Sequence, residues 1–359
     1  MNQYITGIKP LNEQAMQQAQ TRLDSLVKPP GSLGVLEDIA IKLSGISGQL
    51  YYDTSKRCVI IMAADNGVVD EGVASAPQAV TYIQTLNFTR DVTGVAAIAK
   101  AFNTDLIITD VGVNGDIDHP LIRNRKVRKS TGNIFKAPAM TRTEAEQAVT
   151  VGIETAIEAV KSGYTLLGAG EMGIGNTTTS AAILCALTGI TPEQAAGKGA
   201  GLKEEAYQHK IEVIRQALSM HKPDKADPFD VLAKVGGLDI AAMAGVYIGG
   251  AYMQVPMVID GFISTIAALV ACHIQPAVKG YLFASHMSYE QGAAHASAAL
   301  GIATPLHLNM RLGEGSGCPL MFAMMDAACA VIRDMGTFVE AQIGDEYLEE
   351  IGEGDSFTV

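Results

Sequence analysis

Four runs of strand length lack any alternation of apolar and polar residues: 57–63 (RCVIIMA), 104–109 (TDLIIT), 164–167 (YTLL) and 255–259 (VPMVI). A weaker fifth candidate covers 276–283. A strand can be apolar on both faces only if both faces are covered, and crossover helices provide that cover in parallel sheets. Segments with helical spacing of apolar residues separate the runs, at 81–102, 143–162, 177–187 and 238–253. This alternation predicts an α/β fold, an open parallel sheet with crossover helices (Rossmann-like). The runs lead into Ala64-Asp65-Asn66-Gly67, Asp110 to Gly115, a glycine-rich stretch after Leu167, Asp260-Gly261 and Ala284-Ser285-His286. Ligands of such sheets lie beyond the carboxyl ends of the strands, so the polar residues stand where a site is expected.

Residues 240–259 and 261–278 carry no formal charge and are long enough to span a bilayer. Gly245, Gly249, Gly250, Gln254 and Pro256, with Asp260 between the two stretches, point instead to a buried helix, a short strand and a second buried helix. The 37 glycines and the abundance of alanine suggest closely packed helices and tight strand-to-helix turns. A net charge of −12 argues against a nucleic-acid groove or an anionic membrane surface as partner. Cys58, Cys185, Cys272, Cys318 and Cys329 are dispersed, without CxxC, and read as buried reduced thiols. With no basic and apolar run at residues 1–10, the expected location is cytoplasmic. Residues 11–26 and 33–50 form two helices around the stiff turn Lys28-Pro29-Pro30-Gly31-Ser32. Residues 116–139, with Arg123, Arg125, Lys126, Arg128 and Lys129, read as a solvated basic loop, or as one that attracts an anion at a neighbouring subunit. The acidic stretch 345–355 is expected to fray.

Three segments could carry chemistry. In TLLGAGEMGIGNTTT, Gly168, Gly170 and Gly173 match the G-x-G-x-x-G spacing of dinucleotide sites, with Glu193 roughly placed for a ribose. Alternatively, Gly173 to Thr179 opens a helix whose first N–H groups meet one phosphate, or Thr178 and Thr179 merely cap it. No Walker lysine follows, but Lys198 or Lys210 could bring a point charge; by itself Lys210 reads as a solvated helix position. In LGEGSGCP, Glu314 stands between glycines before an apolar helix at 320–332. A carboxylate there suits a general base in a partly dry loop, or a simple partner of the helix dipole; Glu171 invites the same reading. The seven histidines show no HxxxH or HExxH spacing, so no metal is expected, and G-x-S-x-G is missing.

Taken together, LDSLVKPPGSLGVLEDIA, MAADNGVVDEGVA, GEMGIGNTTTSAA, GGLDIAAMAG, VIDGFISTIAAL, ASHMSYE and MRLGEGSGCPLMF resemble the nicotinate-nucleotide:dimethylbenzimidazole phosphoribosyltransferase family, in collinear order over nearly the whole chain. That likeness implies transfer of phosphoribose from nicotinate mononucleotide to 5,6-dimethylbenzimidazole, giving α-ribazole 5′-phosphate and nicotinate in cobalamin assembly. It implies no cofactor and no metal. By position, Glu314 resembles the general base and Glu171 a second carboxylate near ribose or base. Gly173, Gly175, Lys210 and Ser288 resemble phosphate contacts. Gln84 resembles part of the benzimidazole pocket, with Ala76 where some relatives carry serine, and Asp239 and Asp260 resemble polar residues at strand ends. The family further implies a homodimer, with a small helical domain from 1–54 and 326–359 and a large parallel α/β domain at 55–325. A nicotinamide-dinucleotide oxidoreductase and a non-enzymatic carrier of a nucleotide or benzimidazole remain as alternatives.

Overall fold

The computed structural model describes residues 1–199 and 201–344. The acidic stretch 345–355 lies outside the described residues.

Six strands, β1 (Arg57–Ala64), β2 (Asp105–Gly112), β3 (Ile122–Asn124), β4 (Leu166–Met172), β5 (Met257–Ile259) and β6 (Leu282–Ala284), form one sheet in the order β3-β2-β1-β4-β5-β6. Every pair is parallel. This is the doubly wound order, in which chain direction across the sheet reverses between β1 and β4 and leaves a crevice at their carboxyl ends. The α/β open parallel sheet read from the sequence is therefore the fold. The helices follow in chain order: α1 (Asn2–Thr6), α2 (Glu13–Asp24), α3 (Val35–Ser47), α4 (Ala79–Asn87), α5 (Gly94–Ala101), α6 (Arg142–Lys161), α7 (Asn176–Thr188) and α8 (Pro192–Ala195). Then come α9 (Glu204–His221), α10 (Pro228–Val235), α11 (Leu238–Tyr252), α12 (Phe262–Ile274), α13 (Ala293–Leu300), α14 (Cys318–Asp334) and α15 (Phe338–Ala341).

The two long uncharged stretches resolve as α11, β5 and α12, almost entirely buried. No helix among the described residues is long and apolar enough to cross a membrane. Glycine explains how α6 and α11 pack: a Cβ on Gly152 would strike the Ala242 carbonyl, and one on Gly245 the Val149 carbonyl. The two backbones approach as closely as they do because side chains are missing there. Cys58, Cys185, Cys318 and Cys329 are buried and free, whereas Cys272 is only half-buried.

Several boundaries differ from the sequence reading. The segment 81–102 is two helices, broken at Asp91, whose φ of 57° is left-handed, and restarted by Thr93, whose side chain accepts from Ala96 N–H. Residues 276–281 form a 3-10 turn with Pro276 at its start, which leaves only Leu282–Ala284 as strand. The basic segment contributes the edge strand β3 and is neutralised locally. Arg123 and Arg125 pair with Glu158, Arg125 also with Glu154, Arg128 with Glu144, Lys129 with Asp116, and Lys126 with the buried Asp110.

The chain divides into two compact units, one made of Met1–Lys9 with Ser55–Phe322 and the other of Pro10–Thr54 with the chain from Ala323 on. The first nine residues thus belong to the sheet-bearing unit, not with α2 and α3. Gln275 Nε2 donates to Ile5 O at 2.9 Å, Tyr281 Oη donates to Lys9 O at 2.8 Å, and Tyr4 packs edge-on against Tyr252. In the second unit the Arg22 guanidinium donates to the carbonyls of Ile332 and Met335, and Thr54 Oγ1 donates to Asp326 Oδ1 at 2.6 Å. A buried Lys28–Glu37 ion pair at 2.8 Å fixes the Pro29-Pro30 turn to α3.

Candidate active site

β4 sets the site. It runs on to Met172, so Gly168 and Gly170 are strand residues and not a phosphate-binding turn. Their missing side chains make room for the 313–318 segment: a Cβ on Gly170 would lie 2.5 Å from Glu314 O, and one on Gly168 would lie 2.7 Å from Cys318 Sγ. The dinucleotide reading fails on this geometry. Glu193, its proposed ribose partner, is exposed and paired with Arg215.

The passage laid across these glycines turns through three left-handed residues, Gly313 (φ 86°), Glu314 (φ 65°) and Gly315 (φ 84°). Such a conformation costs a non-glycine residue roughly 1–2 kcal/mol, so neighbours must hold it. They do. Asp260, just past β5, accepts Gly315 N–H at 3.0 Å and Gly317 N–H at 2.7 Å, while Glu171 Oε1 at the end of β4 accepts Glu314 N–H at 3.2 Å. The buried Glu314 side chain is fixed as well, with Oε1 accepting from Gln84 Nε2 at 2.7 Å and Oε2 from Val95 N–H at 3.0 Å.

Glu314 opens onto a cavity of about 330 Å³ at the carboxyl ends of the strands. Gln84, Glu171, Gly173, Gly175, Lys210, Asp260, Ser288 and Glu314 all line it, as does the methyl group of Ala76. Asp239 does not. It sits in the first turn of α11 rather than at a strand end, one layer behind, and shares the Asn176 amide with Glu171. Asn176 Nδ2 donates to Glu171 Oε2 at 2.5 Å and to Asp239 Oδ2 at 2.9 Å. Burial raises all three acids: Glu171 to about 8, with Asp239 adding to the rise, Asp260 to about 7 and Asp239 to about 6.

At the far end of the cavity, Gly175 (φ 97°) is the N-cap of α7, where Asn176 N–H turns back to Gly173 O at 3.1 Å and Thr178 N–H to Gly175 O at 3.0 Å. Beside it lies Lys210, fully buried on α9, with Nζ donating to Thr177 Oγ1 at 2.9 Å and to Gly197 O at 3.0 Å. Both acceptors are neutral. Burial holds the ammonium down at about 8, and the half-buried Glu290 only partly opposes this. A buried cation beside a helix N-terminus suits a phosphate or carboxylate. Glu290 and Arg311, which also line the cavity, and Asn176 between the two acids escape the sequence reading, which places His286, another lining residue, only among the polar residues after the last strand candidate. The ASHMSYE and GIGNTTT segments hold three of these four, but nothing local distinguishes them from loop polarity.

Fold and site together define a doubly wound α/β protein with a cavity at the carboxyl ends of its strands, lined by a buried lysine and a buried carboxylate. A family profile described as phosphoribosyltransferase matches residues 8–343. The nicotinate-nucleotide–dimethylbenzimidazole phosphoribosyltransferase of Clostridium perfringens is 49% identical over 359 residues, covering 100% of this chain and 99% of that one. Its namesake in Acetivibrio thermocellus is 48% identical over 349 residues, 97% of this chain and 99% of that one. The crystal structure of the Thermus thermophilus enzyme of that name superposes with a TM-score of 0.88 at 40% identity, covering 93% of this chain and 99% of that chain. This chain belongs to the nicotinate-nucleotide–dimethylbenzimidazole phosphoribosyltransferase family.

Proposed function

We propose that the protein transfers phosphoribose from nicotinate mononucleotide to 5,6-dimethylbenzimidazole, giving α-ribazole 5′-phosphate and nicotinate for cobalamin assembly. One observation carries the reading: Glu314 is held on both carboxylate oxygens at one end of a cavity whose other end offers a buried lysine. The donor nucleotide places its phosphate at Lys210, Ser288 and the start of α7. Its glycosidic carbon then falls toward Glu314. The carboxylate takes the ring N–H proton of the benzimidazole, the other ring nitrogen attacks the anomeric carbon from the opposite side, and nicotinate leaves with the bonding pair. The pyridinium becomes a neutral pyridine nitrogen, the proton rests on Glu314, and β becomes α. Apolar lining from Val73, Val80, Met172, Ile174 and Leu312 suits the flat acceptor and excludes water around the attacking nitrogen.

The test is incubation with both substrates and mass detection of α-ribazole phosphate together with released nicotinate. Nucleotide binding without either product would leave a carrier instead. The family likeness also supports a cytoplasmic homodimer, for which sedimentation as a single chain would be the contrary result.

A further inference from the structure

His286 lines the cavity, is 4% exposed, and takes no part in the proton transfer described above. Its neighbours fix where its hydrogen sits. The Ser285 hydroxyl has one proton and donates it to Asp260 O at 2.9 Å, an atom that can only accept. Ser285 Oγ also lies 3.1 Å from His286 Nδ1. With its proton committed, the hydroxyl accepts there, so Nδ1 carries the hydrogen. Asp260 Oδ1, 3.8 Å from the same nitrogen, favours that arrangement. Burial disfavours the imidazolium and lowers the His286 pKa, which leaves Nε2 a bare lone pair.

That lone pair has no protein donor among the described residues. Nε2 flanks Gly261, where a Cβ would lie 3.4 Å from it and 3.6 Å from Ser288 Cβ. The glycine leaves the nitrogen uncovered on the cavity side. The position is intermediate along the cavity wall. On one side Ser288 leads through Glu290 to Gly197 and Lys210; on the other, Asp260 leads through Gly315 N–H to Glu314. In a nucleotide the sugar occupies the span between phosphate and glycosidic carbon.

We propose that His286 Nε2 accepts a hydrogen bond from a ribose hydroxyl of the donor nucleotide and thereby selects ribose over deoxyribose. The proposal rests on the transferase reading and assigns the sugar its contact. The test is calorimetric binding, without benzimidazole, of nicotinate mononucleotide and its 2′-deoxy and 3′-deoxy analogues. The wild-type protein is expected to bind at least one deoxy analogue about ten-fold more weakly, the scale of one neutral hydrogen bond. His286→Asn keeps an amide donor in the place of Nδ1 and removes Nε2; ribose binding then weakens about ten-fold and the preference over that analogue vanishes. His286→Gln reaches the place of Nε2 with an amide oxygen and restores most of the preference. Equal wild-type affinity for all three sugars would overturn the proposal without any variant, as would a His286→Asn protein that keeps the wild-type ratio. If His286→Asn does not fold, the wild-type comparison and His286→Gln decide. A wild-type protein that forms product without discriminating among the sugars counts against His286 alone, whereas bound nucleotide without product counts against the transferase reading alone.

Discussion

At the Glu314 end of the cavity the carboxylate and its backbone are held before any ligand arrives: two donors hold the carboxylate, and two further carboxylates hold the backbone that presents it. At the Lys210 end a buried ammonium has only a hydroxyl and a carbonyl in hydrogen-bond contact. The first end is a pre-organised geometry and the second an uncompensated charge. Pre-organisation lowers a reaction barrier, because no reorganisation is needed when the proton moves. An undercompensated cation instead favours binding, since an anionic ligand relieves the cost of its burial. Substitutions at the two ends should therefore divide between rate and affinity.

The largest effect is expected at the first end. Glu314→Gln keeps the size of the side chain and removes the proton acceptor, so kcat falls by roughly two to four orders of magnitude while nucleotide affinity and melting temperature stay near wild type. Steady-state kinetics beside calorimetry would show this, and undiminished turnover would take Glu314 out of the mechanism. Lys210→Met is the counterpart. Nucleotide affinity falls roughly ten- to a hundred-fold, the worth of a charged hydrogen bond of about 1.5–3 kcal/mol. The unliganded variant melts no lower than wild type, because a costly buried charge has gone. A Lys210→Met protein with unchanged affinity but depressed kcat would erase the contrast.

Pre-organisation at the first end depends on backbone contact between segments far apart in the chain. Gly170→Ala puts a methyl group where the Glu314 carbonyl stands, 2.5 Å away, and the strand cannot yield between β1 and β5. We expect a loss of about 1–3 kcal/mol in urea unfolding, with kcat reduced more than affinity. Gly199→Ala, on the loop at the Lys210 end, is the control; its Cβ would meet only Thr177 Oγ1 at 3.6 Å, although its φ of 55° adds modest strain.

The ends also differ in pH response. Glu171, Asp260 and Asp239 are raised to about 8, 7 and 6, so above their unfolded values the native protein holds protons that the unfolded chain has lost. Stability of the unliganded protein therefore falls as pH rises, from the unfolded carboxylate range to about 8. Lys210 is lowered to about 8 and works the other way: above 8 the unfolded chain holds the proton that the native one has released, and stability rises again toward the unfolded lysine value. Melting temperature against pH should reach a minimum near 8. Glu171→Gln should flatten the falling limb, and Lys210→Met the rising one.

Much of this is legible in the sequence, and what is not has a common cause. Apolar runs between helices reveal the sheet because burial on both faces leaves its mark within a few residues. Gly168 and Gly170 look like the end of a strand because glycine weakens strands, yet they lie within one, their missing side chains leaving room for the distant turn at Glu314 and for Cys318. Lys210 looks solvated because its acceptors, Thr177 and Gly197, are 33 and 13 residues distant. The family resemblance sets Asp239 at a strand end, although the helical spacing of 238–253 already puts it in the first turn of a helix; what the sequence does not show is that this helix is buried from its first residue. Local chemistry identifies Glu314 between its glycines; only the fold reveals that Asp260 and Glu171 keep it there.

The smallest effect is expected away from both ends, on the basic segment after β2. Five cations so close together could have drawn an anionic ligand, and by charge alone they exceed Lys210. Each has a carboxylate partner, and the guanidinium of Arg125 spans Glu154 and Glu158 on α6 while remaining 37% exposed. Exposed pairs of this kind contribute about 0.2–1 kcal/mol and are screened by salt. Arg125→Ala should therefore cost no more than about 1 kcal/mol in low salt, less in high salt, and leave nucleotide affinity unchanged. A salt-dependent loss of affinity in Arg125→Ala would mean that this segment, and not the single buried lysine, attracts the anion, and the contrast between the two ends would have to be redrawn.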